Sequence, residues 1–298
     1  MSNDALNAWI ARYIEYLRVE RNLAAKTRES YQRQLDAITL QLSISSWQQL
    51  TVEHVRHILA SARRQSLSPR SISLRLSALR SFCQYLIQHQ QLQHNPASSV
   101  SAPKTGKPLP KQLNVDETQQ LLNFDPQDPL AIRDKAMLEL LYGCGLRLSE
   151  LTGLNTNDIL SDQQLRVLGK GSKQRLIPIG RKAIEALQHW SQVRNTLLKG
   201  EQNALFISQH GNRLSNRQVA NRLQRWTSEQ ALSQQVNPHK LRHSYATHML
   251  ESSGDLRAVQ ELLGHANLST TQVYTHLDFQ HLAKVYDGAH PRARKKKN

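Results

Sequence analysis

The stretch HKLRHSYATH, residues 239–248, sets His239, His243 and His248 around Arg242. Farther on, GHANLSTTQVYTH supplies His265, Tyr274 and His276. Such residue types suit three chemistries. The first is metal binding: His239 and His243 stand four apart, as in the zinc motif His-Glu-x-x-His. Position 240, however, is lysine where that motif carries its general-base glutamate. An arginine beside the pair is also a poor neighbour for a dication. The second is nucleotide binding at GKGSK, residues 169–173. A P-loop needs Gly-Lys-Ser/Thr running into a helix, whereas Lys170 precedes Gly171 and the turn falls between two predicted strands.

The third chemistry is displacement at a phosphodiester. It builds negative charge on the phosphate oxygens and so calls for fixed cations and hydrogen-bond donors. Arg147 and Arg242 offer permanent, planar, bidentate donors. His239, His265 and Lys170 offer further donors and proton traffic. Tyr274 offers a nucleophile whose product is covalent. These positions are far apart along the chain, and composition alone does not bring them together.

The elements that must do so are predicted to be mainly helical. Leu6, Trp9, Ile10, Tyr13 and Leu17 recur at helical spacing, as do Tyr31, Leu35, Ile38 and Leu42, and then Val52, Val55, Ile58, Leu59 and Ala62. A fourth helix starts at Ser68 and Pro69, a cap followed by a first-turn proline. Its apolar face is Ile72, Leu76, Leu79, Cys83 and Leu86. Another face carries Arg70, Ser73, Ser77, Arg80 and Gln84, where short hydroxyls between arginines suit a phosphate backbone and an ordinary solvated face competes. Residues 93–114 hold four prolines and no apolar period, and read as a basic extended linker. The expected division is therefore a helical domain over 1–92, the linker 93–114, and a second domain over 115–298. In the second, helices are expected over 115–124, 129–142, 181–198, 215–232, 239–252 and 255–263, with a small β-hairpin over 164–180. The box STTQ, residues 269–272, is expected to start a helix carrying Tyr274, and RARKKKN to form a solvated tail.

Composition limits the partners. The chain has 298 residues, 39% of them hydrophobic, and a formal charge of +16. Residues 1–104 carry 13 Lys/Arg against 6 Asp/Glu, a net of +7, so the remaining +9 falls on the rest and both halves are basic. A long polyanion touched by both halves fits this best, with duplex DNA or RNA leading. Aromatics at 5% argue against a stacking platform for single strands. The two cysteines, Cys83 and Cys144, suggest neither a disulfide framework nor a zinc site. The first residues lack the apolar core of a signal peptide and no long apolar run follows, so a cytoplasmic protein is expected.

Taken together, GLRLSEL, GKGSK, HKLRHSYATHML and LLGHANLSTTQVYTH resemble the tyrosine recombinase (phage integrase) family, in its order and spacing. The resemblance spans nearly the whole chain and is strongest to the bacterial Xer recombinases, nearest their XerC branch. It implies a two-domain DNA clamp, a helical SAM-like core-binding domain followed by a catalytic domain. It places the two family arginines on Arg147 and Arg242, the hairpin lysine on Lys170, the histidine positions on His239 and His265, and the nucleophile on Tyr274. His243, His248 and His276 are left to packing or capping. It further implies strand exchange without metal, ATP or other cofactor, a XerD-like recombinase partner in a heterotetramer, an FtsK-like DNA translocase, and resolution of chromosome or plasmid dimers at cell division. Residues after Tyr274 would pack on a neighbouring subunit. Two other readings stay open: a type IB topoisomerase-like enzyme, and a DNA-binding module without catalysis.

Overall fold

The computed structural model describes residues 4–103, 112–160, 163–169, 174–264 and 276–293, with only the backbone of 276–279. The chain divides into two compact units, Met1–Pro108 and Leu109–Asn298. Among the described residues the fold is mainly helical, with one two-stranded antiparallel sheet.

The first unit contains α1 (Asp4–Val19), α2 (Ala25–Thr39), α3 (Val52–Arg64) and α4 (Pro69–Gln88). The apolar stripes read from the sequence converge in one core, in which Leu6, Ile10, Tyr13, Leu35, Ile38, Val55, Ile58, Leu76, Leu79 and Leu86 are buried. Two polar atoms in this core find partners: Tyr13 Oη donates to Ser81 Oγ at 2.7 Å and Trp47 Nε1 to the Leu6 carbonyl at 3.1 Å. Helix α4 starts as its sequence demands, with Ser68 Oγ accepting from Ser71 N and Pro69 in the first turn.

The start of the expected linker behaves differently. Ala97 and Val100 are buried in the first core. Arg80 Nε donates to the Ala97 carbonyl at 2.9 Å and its Nη2 to the Val100 carbonyl, while Asn95 Nδ2 donates to the Arg80 carbonyl. A proline-rich segment can pack when a side chain satisfies its carbonyls, and Arg80 does so here. Leu113, near the other end, is buried in the second unit, where its N–H donates to Ser244 Oγ at 2.9 Å. Lys104, Lys107 and Lys111 lie outside the described residues.

The second unit is built on α6 (Pro129–Gly143), which is buried on almost every side. Around it lie α5 (Val115–Leu122), α7 (Leu148–Gly153), β1 (Gln164–Leu168), β2 (Gln174–Pro178), α8 (Arg181–Arg194), α9 (Asn216–Glu229), α10 (Pro238–Ser253), α11 (Leu256–Leu263) and α12 (His276–Ala289). The hairpin pairs Leu165 with Ile177 and Val167 with Arg175, so alternate residues of β2 turn inward. The buried carboxylates of α6 are matched by cations: Asp134 by Arg133 and Arg222, Glu139 by Arg292 and Lys135.

The C-terminal segment departs from one expectation. Leu282, Tyr286 and Ala289 are buried in this same unit, and Tyr286 Oη donates to the Gly143 carbonyl at 2.9 Å. The described residues after Tyr274 therefore pack on their own chain. Arg292 is no part of a solvated tail, because its Nε donates to buried Glu139 Oε2 at 2.7 Å and Ala293 joins the core. Residues 294–298 lie outside the description.

Candidate active site

Arg147 enters the site as the residue that begins α7. The loop before it, Cys144-Gly145-Leu146, turns tightly. Gly145 has φ +56°, and a Cβ there would stand 2.4 Å from the Tyr245 ring, so only glycine fits. Three residues on, Glu150 reaches back and accepts the Arg147 backbone N–H at 2.8 Å. It is the acidic half of a capping box and fixes where α7 starts.

Glu150 is also the centre of the charge arrangement. Its Oε1 accepts from Arg147 Nη1 at 2.8 Å and from Arg175 Nη1 at 2.9 Å. Its Oε2 accepts from Arg175 Nη2 at 2.9 Å, and Arg242 Nη1 stands 3.7 Å away. Burial pushes this carboxyl up, but hydrogen bonds and charge from Arg175 and then Arg147 outweigh it and hold it below the usual carboxylate range. Three guanidiniums around one carboxylate leave a local charge of +2.

Arg242 comes from the second turn of α10, whose first turn is opened by Asn237 and Pro238. It is buried, and its two terminal nitrogens donate to the Gly145 and Leu263 carbonyls, each at 2.6 Å. Burial, followed by the charge of Arg147, brings its guanidinium down to about 10, which leaves it protonated at neutral pH. His239 lies three residues earlier on α10 and is exposed, on the side of the helix that carries Arg242. Of the other histidines, His243 is exposed, and buried His248 pairs its Nδ1 with Tyr142 Oη at 2.9 Å.

The last carbonyls of α11 face the same arginines. Arg175 Nε donates to Leu262 O at 3.1 Å, Arg242 to Leu263 O, and Arg147 Nη2 to Gly264 O at 3.4 Å. Cations at a helix C-terminus satisfy its free carbonyls and oppose its dipole. The chain then leaves α11 at Gly264 toward His265 and Tyr274. These two residues and Lys170 lie outside the described residues, as does the STTQ box. The structure thus gathers Arg147 and Arg242, and sets His239 on the same helix as Arg242. Tyr245, a described tyrosine near the arginines, is fully buried, and burial raises its hydroxyl far above the usual range, so it has no route to a substrate.

Two residues of the cluster escaped the sequence reading. Glu150 had a signal, since an acid three residues after a helix start is a capping box. Arg175 had a subtler one: it shares the inward register of β2 with Ile177, and an arginine on an apolar face needs a buried partner. On α4, Arg70 and Ser77 are exposed and Ser73 is half-buried. Arg80 is half-buried, with its Nε and Nη2 held by the Ala97 and Val100 carbonyls.

Residues 111–281 match the Phage integrase family, and residues 10–90 match the Phage integrase N-terminal SAM-like domain. The tyrosine recombinase XerC of Proteus mirabilis is 57% identical over 300 residues, covering 99% of this chain and 97% of that one. The chain belongs to the phage integrase family of tyrosine recombinases. It is accordingly an enzyme of DNA breakage and rejoining. The XerC of Salmonella typhi is 54% identical, with all of both chains covered. A lambda integrase fragment, residues 75–356, solved as a dimer on a COC' core site, shares the fold at a TM-score of 0.70 and 20% identity, over 90% of this chain and 99% of that one. The XerH site-specific recombinase, solved on a palindromic difH substrate, gives 0.69 at 24% identity, over 90% and 81%. Among the described residues of this tyrosine recombinase no helix is long and apolar enough to cross a membrane.

Proposed function

We propose that this tyrosine recombinase cuts duplex DNA at a specific site through a 3′-phosphotyrosyl bond on Tyr274. The observation that carries the reading is the cluster of Arg147, Arg175 and Arg242 on Glu150, at the helix end that leads to Tyr274. Its surplus of +2 suits a phosphodiester whose charge grows from −1 toward −2 as the attacking oxygen adds. Arg147 and Arg242 hold the non-bridging oxygens, and His265 adds a donor. His239 takes the proton of Tyr274, whose ordinary pKa near 10 makes it a weak nucleophile at neutral pH. Lys170 protonates the departing 5′ oxygen. The new phosphodiester stores the energy of the old one, so the free 5′ hydroxyl reverses the step with no ATP, metal or other cofactor. Arg70, Ser73 and Ser77 on α4 touch the backbone of the same DNA.

The XerC relatives support a narrower assignment. In this reading the chain acts in the cytoplasm, in a heterotetramer with a XerD-like recombinase under an FtsK-like translocase, and resolves chromosome and plasmid dimers at cell division. The test is a nicked duplex carrying a Xer-type site, incubated with the protein and run on a denaturing gel. A covalent band is expected with that site only, and Tyr274→Phe should abolish it while binding DNA within about threefold of wild type. A band on any duplex would favour a topoisomerase, and a band with Tyr274→Phe would move the nucleophile elsewhere.

A further inference from the structure

Arg175 ties its own strand β2 to two further elements, α7 and α11, with one guanidinium. It projects from β2, two residues beyond Lys173 and five beyond Lys170 in the sequence. Its two terminal nitrogens grip both oxygens of Glu150 on α7 at 2.9 Å, and its Nε holds Leu262 O of α11 at 3.1 Å. The side chain is buried, and the last turn of α11 is shaped around it. A Cβ on Gly264 would lie 3.0–3.2 Å from three atoms of the Arg175 side chain. Along the sequence, Arg147 directly precedes α7, Lys170 falls between β1 and β2, and His265 follows the end of α11.

The division of labour on Glu150 gives this joint its consequence. A carboxylate offers about four acceptor sites. Arg147 fills two, through Nη1 and its backbone N–H, and Arg175 fills the other two. Fork-to-fork pairing fixes a carboxylate in plane as well as in place, so the orientation of Arg147 is inherited from Arg175. Through Leu262, the same fork sets the height of the helix end whose next carbonyls meet Arg242 and Arg147.

We infer that Arg175 is a positioning residue of the recombination reaction: it touches no substrate, and holds Arg147 and the end of α11 in register for the scissile phosphate. This rests on the phosphate-binding reading of Arg147. A lysine cannot replace the guanidinium, because an ammonium is a point charge that cannot span both oxygens and the Leu262 carbonyl.

The experiment uses the full chain on the nicked substrate and measures single-turnover cleavage, DNA Kd and thermal unfolding for wild type, Arg175→Met, Arg175→Lys and Arg147→Ala. Arg175→Lys keeps the charge and most of the volume, so it reports even where Arg175→Met does not fold. Both Arg175 variants that fold should cleave about 10²-fold slower, the loss typical of a misplaced or missing phosphate donor, with Kd within about threefold. Cleavage by folded Arg175→Lys within threefold of wild type would overturn the inference, as would a fall in affinity as large as the fall in rate. A slow Arg147→Ala beside normal Arg175 variants removes the positioning role and leaves the phosphate reading intact. Arg147→Ala at the wild-type rate removes the phosphate reading itself.

Discussion

Glu150 sets what the cluster tolerates. With three guanidiniums in reach, it is their nearest described counter-charge, and it is buried. In Glu150→Gln the shape remains, but one oxygen becomes an NH₂ whose donors face donors. Removing one partner of a buried ion pair leaves an uncompensated charge and costs about 3–5 kcal/mol. We expect urea unfolding at pH 7 to show a loss of about 3 kcal/mol; a loss below about 1 kcal/mol would mean the arginines relax to solvent. The pH dependence adds a sign. A carboxyl held below its usual range stabilises the fold above that range and loses the contribution as pH falls through its folded pKa. Wild type should therefore lose part of its advantage over the glutamine variant in acid. At this scale the sequence was legible where a motif had fixed spacing, as at Arg147 and Arg242. It was silent on Arg175, whose partners stand 25 and 87 residues away, a distance that periodicity does not register.

Helix ends do most of the positioning. Capping chemistry is local: the sequence showed Ser68 before Pro69, and the structure adds Ser215 with Gln218 and glycines closing α10 and α11 at φ +67° and +65°. The start of the linker was misread because proline content reports where helices stop and leaves open whether the chain packs. Arg80 settles that by bonding two carbonyls seventeen and twenty residues on. The two roles of Gly264, left-handed backbone and room for Arg175, can be separated. Gly200 also has a left-handed φ, +87°, but a Cβ there meets nothing within 4 Å. Forcing alanine into that region costs about 1–2 kcal/mol at either site. Gly200→Ala should lose that stability and cleave DNA normally. Gly264→Ala should lose as much and, by displacing Arg175, also cleave at least about tenfold slower. Equal cleavage rates for the two variants would show that the end of α11 accommodates the methyl without consequence for Arg147.

Across the whole molecule, charge was the most legible property and burial of charge the least. A formal +16 spread over both halves pointed to a polyanion from composition alone. The run GAHPRAR gave no sign that His290 would be sealed in the core of the second unit, its ring stacked on Tyr286 at 4.9 Å and near Tyr142 and Tyr245. Its Nδ1 accepts the Arg292 N–H. Burial, then the charge of Arg292, brings this imidazole down to about 3. The unfolded chain returns it to an ordinary value near 6.5. Between those limits the unfolded state binds the extra proton, so stability rises with pH: the contribution is complete above about 6.5 and is lost progressively as pH falls toward 3. Between pH 7 and pH 5 the loss from this one group comes to about 2 kcal/mol. Carboxylates whose pKa is held low contribute little in that interval, because they titrate below it. Self-repulsion of a basic chain acts in the same direction, so the wild-type slope alone does not assign the effect. His290→Gln keeps a polar side chain of similar size and removes the titration. Urea unfolding of both proteins at pH 7 and pH 5 should show a wild-type loss exceeding that of the variant by about 2 kcal/mol. Parallel losses would mean that the pocket opens to admit the proton, and that the C-terminal segment is less firmly seated on its own unit than its buried contacts imply.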